Sequence, residues 1–209
     1  MNDNIILQKD KTINECISKM RRFCSLDASY KNYDLVMVEE DNYLTMSDIR
    51  LANHMGARMG QKIIQSVMDR TENINSALMH VPAGVELSSD AVPWEALDNL
   101  FRVIIGPEIH AARATKILHK KRPHLIPILD SVMVSYCQAG IQQPNEDEAA
   151  SMTECVRVIK TDIEKNLDTF RELASAIPKI TVVRAHDILI WAYSEEYQKQ
   201  FGVPPLWQR

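Results

Sequence analysis

Asp130 and six side chains that could carry positive charge, His110, Arg113, Lys116, Lys120, Lys121 and Arg122, fall within one stretch, GPEIHAARATKILHKKRPHLIPILDSVMVSYC, residues 106–137. Two kinds of chemistry are open to them. Two helices that meet at a tight turn around residues 107–111 would aim the first N–H groups of the second helix outward. Those groups, aided by the helix dipole, can hold a phosphate. Lys116, Lys120, Lys121 and Arg122 would add charge to that grip, with His110 and Arg113 beside it, and these six are the candidate DNA-binding residues. With Arg102 counted, residues 101–135 carry six Lys and Arg against Glu108 and Asp130, a basic island on a chain of net charge −4. Such an island can be an electrostatic footprint for nucleic acid even on an acidic protein. Read structurally, the same KKRPH run is a solvated helix end whose cations complement the C-terminal dipole.

Asp130 is the candidate catalytic residue. It stands directly before Ser131-Val132-Met133 and reads first as a helix N-cap. The two roles are compatible, because a capping carboxylate is held rigidly with one oxygen to spare.

Helices must position these groups. Ile13, Cys16, Ile17 and Met20 recur at helical spacing, which predicts a helix over 11–24. Ser47 or Asp48 would cap a helix running to about Met59, and Gly60 would separate it from one over 61–79. The segment HVPAGVELSSDAVP, 80–93, reads as a loop. Pro93 then opens a helix faced by Trp94, Leu97, Leu100, Phe101 and Ile104, which Gly106-Pro107 ends. A helix over 109–119, a bridge KKRPHLIPIL and a helix starting at Asp130 follow. Asn145 and Glu148 have capping-box spacing, ahead of an amphipathic helix carrying Val156, Ile159, Ile163, Leu167 and Phe170 that Pro178 stops. Thr181 would cap a last helix in which Arg184 and Asp187 form a structural ion pair. Trp94 and Trp191 lie on apolar faces and read as core residues.

Composition narrows the classes. Six glycines in 209 residues favour helices over a turn-rich β architecture. No stretch approaches the roughly 20 apolar residues that span a bilayer, and MNDNIILQKDK is not a secretion signal, so the expectation is a cytoplasmic protein with no membrane partner. Cys16, Cys24, Cys137 and Cys155 show no C-x-x-C spacing and read as buried free thiols. His110, His119 and His124 lack the i, i+4 spacing of a helical metal pair, and no metal or cofactor is expected.

The segment resembles the helix-hairpin-helix and aspartate core of the base-excision DNA glycosylase superfamily. That core has a P-G-h-G hairpin, a helix with an alanine two residues past its lysine position, and a Pro-Val-Asp element. Ala114 and Asp130 have the matching separation, and Pro127-Ile128-Leu129-Asp130 stands at the Pro-Val-Asp place. The chain also resembles a family of uncharacterised bacterial proteins that share A-[ST]-K-[IL]-L-x-x-K-R-P-x-L-[IV]-P-x-x-D-S, here Ala114 through Ser131, and a tail R-x-x-D-x-x-x-W, here Arg184, Asp187 and Trp191. Glu108 and His110 replace the two hairpin glycines, Ala112 replaces the lysine of bifunctional glycosylases, and the iron–sulfur cysteines are missing. The resemblance implies a mainly α, helix-hairpin-helix glycosylase-like domain over 1–209, its hairpin element within 94–138. It implies DNA as partner, and monofunctional base removal with Asp130 stabilising an oxocarbenium-like sugar or orienting water on a flipped nucleotide. Net negative charge and the Glu108/His110 hairpin favour the alternative, a non-catalytic helical scaffold or regulatory protein that kept the fold without DNA binding.

Overall fold

The periodicity of the sequence is realised as a mainly α protein. A computed structural model describes residues 4–7, 12–38, 42–139 and 146–194. Two short antiparallel strands, β1 (Ile5–Ile6) and β2 (Thr12–Ile13), precede the helices. The helices are α1 (Cys16–Leu26), α2 (Met46–Leu51), α3 (Gln61–Met68), α4 (Thr71–Met79) and α5 (Trp94–Ile104). After them come α6 (Ala111–Leu118), α7 (Ser131–Gln138), α8 (Glu148–Lys165), α9 (Leu167–Ala176) and α10 (Val182–Ala192). A π-helical turn at Tyr30–Asp34 and a 3-10 turn at Ala52–Met55 fill the connections. None of the described helices is long and apolar enough to cross a membrane. All four cysteines are buried and free, as their spacing predicts.

Several boundaries differ from the expected ones. Thr12 and Ile13 pair with β1 instead of opening α1, because two-residue strands are too short for an alternating pattern to betray them. Thr45, not Ser47 or Asp48, caps α2. Its hydroxyl accepts from Asp48 N, while the Asp48 carboxylate accepts from Thr45 N, a capping box with Asp48 in the third helical position. The expected helix over 61–79 breaks at Asp69–Arg70 into α3 and α4. Asp147 caps α8 through Ala149 N and Ala150 N; the Asn145 cap lies outside the described residues. Pro93 and Thr181 stand at the N-caps of α5 and α10, as predicted.

The break at Arg70 has a use. Its Nη1 donates to the carbonyls of Val103, Ile104 and Ile105 at 3.3, 3.1 and 3.0 Å, satisfying the carbonyls that α5 leaves orphaned at its C-terminus. Gly106 admits this guanidinium, since a Cβ there would stand 2.6 Å from Nη1. The chain then turns sharply: Gly106 and Ile109 exchange N–H···O bonds of 3.1 and 2.9 Å. Pro107 takes the second place of this turn and Glu108 the third, with φ of 64°. Positive φ at that place is the type II pattern, where glycine is normally preferred.

α10 is the centre of the packing. It touches α1, α7, α8 and α9, and Val183 through Ile190 are all buried. An apolar helix enclosed on all sides is expected to be buried, but this one also carries Arg184, His186 and Asp187 inward. Each must find a polar partner in the interior, and two of them shape the site below.

Candidate functional site

A cavity of about 430 Å³ lies where the end of α1, the turn at 52–58, α6, the start of α7 and α10 converge. That is inside the range of roughly 300–1,000 Å³ typical of small-molecule sites. Asp130, Lys116, Arg184, Asp187 and Trp191 all line it, so the two motif segments, separated by more than fifty residues in sequence, meet at one place. Phe23 and Trp191 form an edge-to-face aromatic pair in its wall, ring centroids 5.5 Å apart.

Asp130 is a cap with an oxygen to spare. Its Oδ1 accepts from Val132 N and Met133 N, both at 3.0 Å, fixing the start of α7. Its Oδ2 has no hydrogen-bond partner among the described residues, and the residue is part of the cavity lining. Lys116 reaches the same cavity from α6. Burial lowers its pKa; the Asp130 carboxylate works against that, while Arg184 and Arg58 add to the lowering. Ala112 and Lys116 share one face of α6, being one turn apart.

Asp187 and Arg184 do not form the expected ion pair. Arg184 instead holds Asp34 in a two-pronged contact, Nε to Oδ1 at 2.8 Å and Nη2 to Oδ2 at 3.0 Å, with both side chains buried. Asp187 Oδ2 accepts from Ile128 N at 2.9 Å, which ties α10 to the Pro127–Asp130 segment. Its Oδ1 has no hydrogen-bond partner among the described residues. Burial raises the Asp187 pKa well above the carboxylate range, Arg184 and the Ile128 N–H oppose this, and Asp130 and Asp34 reinforce it. An orphaned buried polar atom of this kind costs about 1–3 kcal/mol and calls for an explanation.

The six candidate DNA-binding residues do not form one exposed edge. Lys121 is buried and paired with Asp48 at 3.0 Å. Arg122 is buried and donates to the carbonyls of Leu78 at 2.9 Å and Lys121 at 2.7 Å, and also to Val81 O and Asn42 Oδ1. Lys120 donates to the carbonyls of Asp34 and Val36, each at 3.0 Å. Arg113 donates to Ala57 O at 2.9 Å and to Glu108 O. The KKRPH run is therefore not a solvated helix end. Its continuation, Leu125 to Leu129, is buried, and the run passes beside segments whose enclosed carbonyls need donors, which Lys120 supplies to Asp34 and Val36 and Arg122 to Leu78 and Val81.

The hairpin's helix N-terminus is likewise occupied. Glu148, the first residue of α8, accepts from Ala111 N at 2.8 Å through Oε1, and its Oε2 lies 2.9 Å from His110 Nδ1. A carboxylate of the chain itself sits where a phosphate would be held.

His119, on the bridge side of α6, is buried and donates from Nδ1 to Ile126 O at 2.6 Å. Burial lowers its pKa from 6.5 to about 3, only partly offset by that bond. The unfolded chain therefore takes up this proton first, so the contribution to stability is complete above about pH 6.5 and declines as pH falls toward 3. Denaturant midpoints measured across that window should fall with pH, and His119→Gln, which offers a donor but does not titrate there, should flatten part of the slope. An unchanged slope would remove His119 as a cause.

Sequence reasoning missed Arg58 and His54, which line the cavity, and Asp34, which stands behind Arg184. Asp34 pairs with Arg184, 150 positions away, and no local spacing signals it. The R-x-x-D-x-x-x-W pattern was the one visible trace of the α10 wall.

No curated protein and no solved structure matches the chain. Residues 24–194 match the Family of unknown function (DUF6308), a stretch that contains the Arg184–Asp34 pair, Asp130, Lys116, Asp187 and Trp191. The match covers most of the 209 residues, and the chain therefore belongs to the Family of unknown function (DUF6308).

Proposed function

We propose that the protein binds DNA with a helix-hairpin-helix glycosylase-like arrangement and removes a base from a nucleotide flipped into the Asp130 cavity. The observation that carries this reading is the spare oxygen of a rigidly capped carboxylate in the lining of a cavity large enough for a heterocycle. In the reaction the bond between C1′ and the base nitrogen breaks, and the electron pair leaves with the base. Asp130 offsets the positive charge that develops on the sugar. Water then adds its oxygen to C1′, one of its protons passing to the departed base nitrogen. Lys116 balances the carboxylate charge in the resting site. Arg58 and His54, exposed beside the cavity, join His110 and Arg113 as candidate contacts to the phosphate backbone. The type II turn at Glu108 supports the hairpin likeness, because it retains the positive φ of a glycine.

The test is base release. Duplexes carrying uracil, hypoxanthine or an alkylated purine are incubated with the full chain, and the freed base is measured by chromatography. Release from at least one duplex is expected; release from none removes the catalytic half of the reading.

The scaffold alternative is favoured by one specific observation, the seating of Glu148 on the hairpin's helix N-terminus. If the hairpin does grip phosphate, Glu148 competes with it. Glu148→Gln should then tighten binding to duplex DNA at low salt by roughly two- to fivefold, the worth of one charge at a helix terminus. The gain should shrink as salt is raised. No gain at any salt concentration would favour the scaffold.

A further inference from the structure

We propose that Asp187 is the second working carboxyl of this cavity, presenting Oδ1 as a hydrogen-bond donor to a nitrogen or oxygen acceptor on the bound base. The inference rests on the base-binding reading of the cavity and names the atom that recognises the base.

Two acids line one cavity in unlike surroundings. Asp130 is half-buried at a helix start, and two backbone N–H groups serve its Oδ1. Asp187 lies in the middle of the central helix, only 2 % exposed, with a single N–H on Oδ2. The nearest cation on its own helix, Arg184, directs its guanidinium to Asp34 and leaves Asp187 without an ion pair. The charged groups around it otherwise are Asp130 and Asp34, and both disfavour a second negative charge. A carboxyl so placed keeps its proton, and because Oδ2 already accepts, the proton belongs on Oδ1. That oxygen has no acceptor among the described residues, and its residue is part of the cavity wall. A protonated acid in the wall of a site, with a donor that no described neighbour satisfies, is available to a bound molecule. A base carrying a carbonyl or an unprotonated ring nitrogen satisfies it. Two carboxyls in unlike surroundings, one of them held protonated by burial, are an arrangement by which one site divides its roles. Here Asp130 faces the sugar and Asp187 holds the leaving base, without proton transfer.

Infrared difference spectroscopy on the full chain tests this, with uracil, adenine and hypoxanthine as the probes and equilibrium dialysis for affinity. At neutral pH a protonated-carboxyl carbonyl band is expected that persists in Asp130→Asn and vanishes in Asp187→Asn. The band should move to lower frequency when a probe base binds. Asp187→Leu should weaken that base by roughly five- to tenfold, and Asp187→Asn, which keeps an N–H donor, by less. If the leucine variant does not fold, the asparagine spectra alone decide. A missing Asp187-dependent band, or a band that no bound base perturbs, overturns the proposal while leaving Asp130 chemistry standing. Failure of all three bases to bind overturns the ligand assigned to Asp187. Failure to release base from DNA, with the band shift present, sinks the hydrolytic reading and leaves the donor.

Discussion

Asp34→Asn should lower folding stability by about 3–5 kcal/mol, the usual cost of removing one partner of a buried ion pair. In a chain of this size that corresponds to a fall in melting temperature on the order of 10 °C. Asp34 and Arg184 are both almost fully enclosed and meet through two bonds of 2.8 and 3.0 Å. Among the described residues, that guanidinium has one further contact, a weak one to Met55 Sδ at 3.8 Å. Without the carboxylate, a charge stays buried beside neutral neighbours, since burial opposes ionisation of Asp187 as well. The expected loss is thus mostly the penalty of the stranded guanidinium, and a double variant isolates it. Asp34→Leu with Arg184→Met removes both charges, and it should recover much of the lost stability. Denaturant unfolding of the three proteins measures both steps. A loss below about 1 kcal/mol for Asp34→Asn would mean that water already reaches the pair.

The same pair explains what could and could not be read from the sequence. Helices announced themselves through local signals: Pro93 and Thr181 at helix starts, Pro178 just past a stop, and the spacing of Val156, Ile159, Ile163 and Phe170, although the single helix expected there is broken at Asn166 into α8 and α9. Asp130 before Ser131 was legible as a cap for the same reason, because an N-cap acts on amides two and three residues away. The fate of the basic run was not legible. Whether Lys121 and Arg122 face water depends on which segments pass over them, and those are residues 42–48 and 78–81, brought there by chain folding. Charge density in sequence is a surface property only if the segment is at the surface. Here the bridge from α6 to α7 runs through the interior, so its cations act as donors to loop carbonyls.

The Arg184–Asp187 expectation failed through a related cause. Residues three apart on a helix are neighbours, which makes a local pair plausible, but the rule was measured on exposed helices. α10 is buried all round. Inside, a charged group takes whatever partner offers full compensation, and Asp34 on the π-helical turn offered a carboxylate in bidentate geometry. Asp187 was left with one backbone N–H and a place in the cavity wall. The tail motif therefore marks a division of labour between a structural cation and a site-facing acid.

Asp130→Asn separates the cap from the catalyst, because asparagine ranks with aspartate as an N-cap. Its side-chain oxygen can accept from Val132 N and Met133 N as the carboxylate does. Folding stability should therefore change by no more than about 0.5 kcal/mol, whereas Asp130→Ala should cost about 1 kcal/mol through loss of the cap. Base release should behave otherwise. The amide carries no negative charge to set against an electron-poor sugar, so the rate should drop roughly 10²- to 10⁴-fold. DNA affinity should hold or rise slightly, since one negative charge beside the phosphates is gone. Thermal unfolding, single-turnover base release and salt-dependent binding on the three proteins read these effects independently. Release that survives in the asparagine variant would leave Asp130 as the cap of α7 and nothing more. Release lost in both variants, with stability lost only in the alanine one, would assign the carboxylate's two oxygens to two tasks: Oδ1 to the fold, Oδ2 to the reaction.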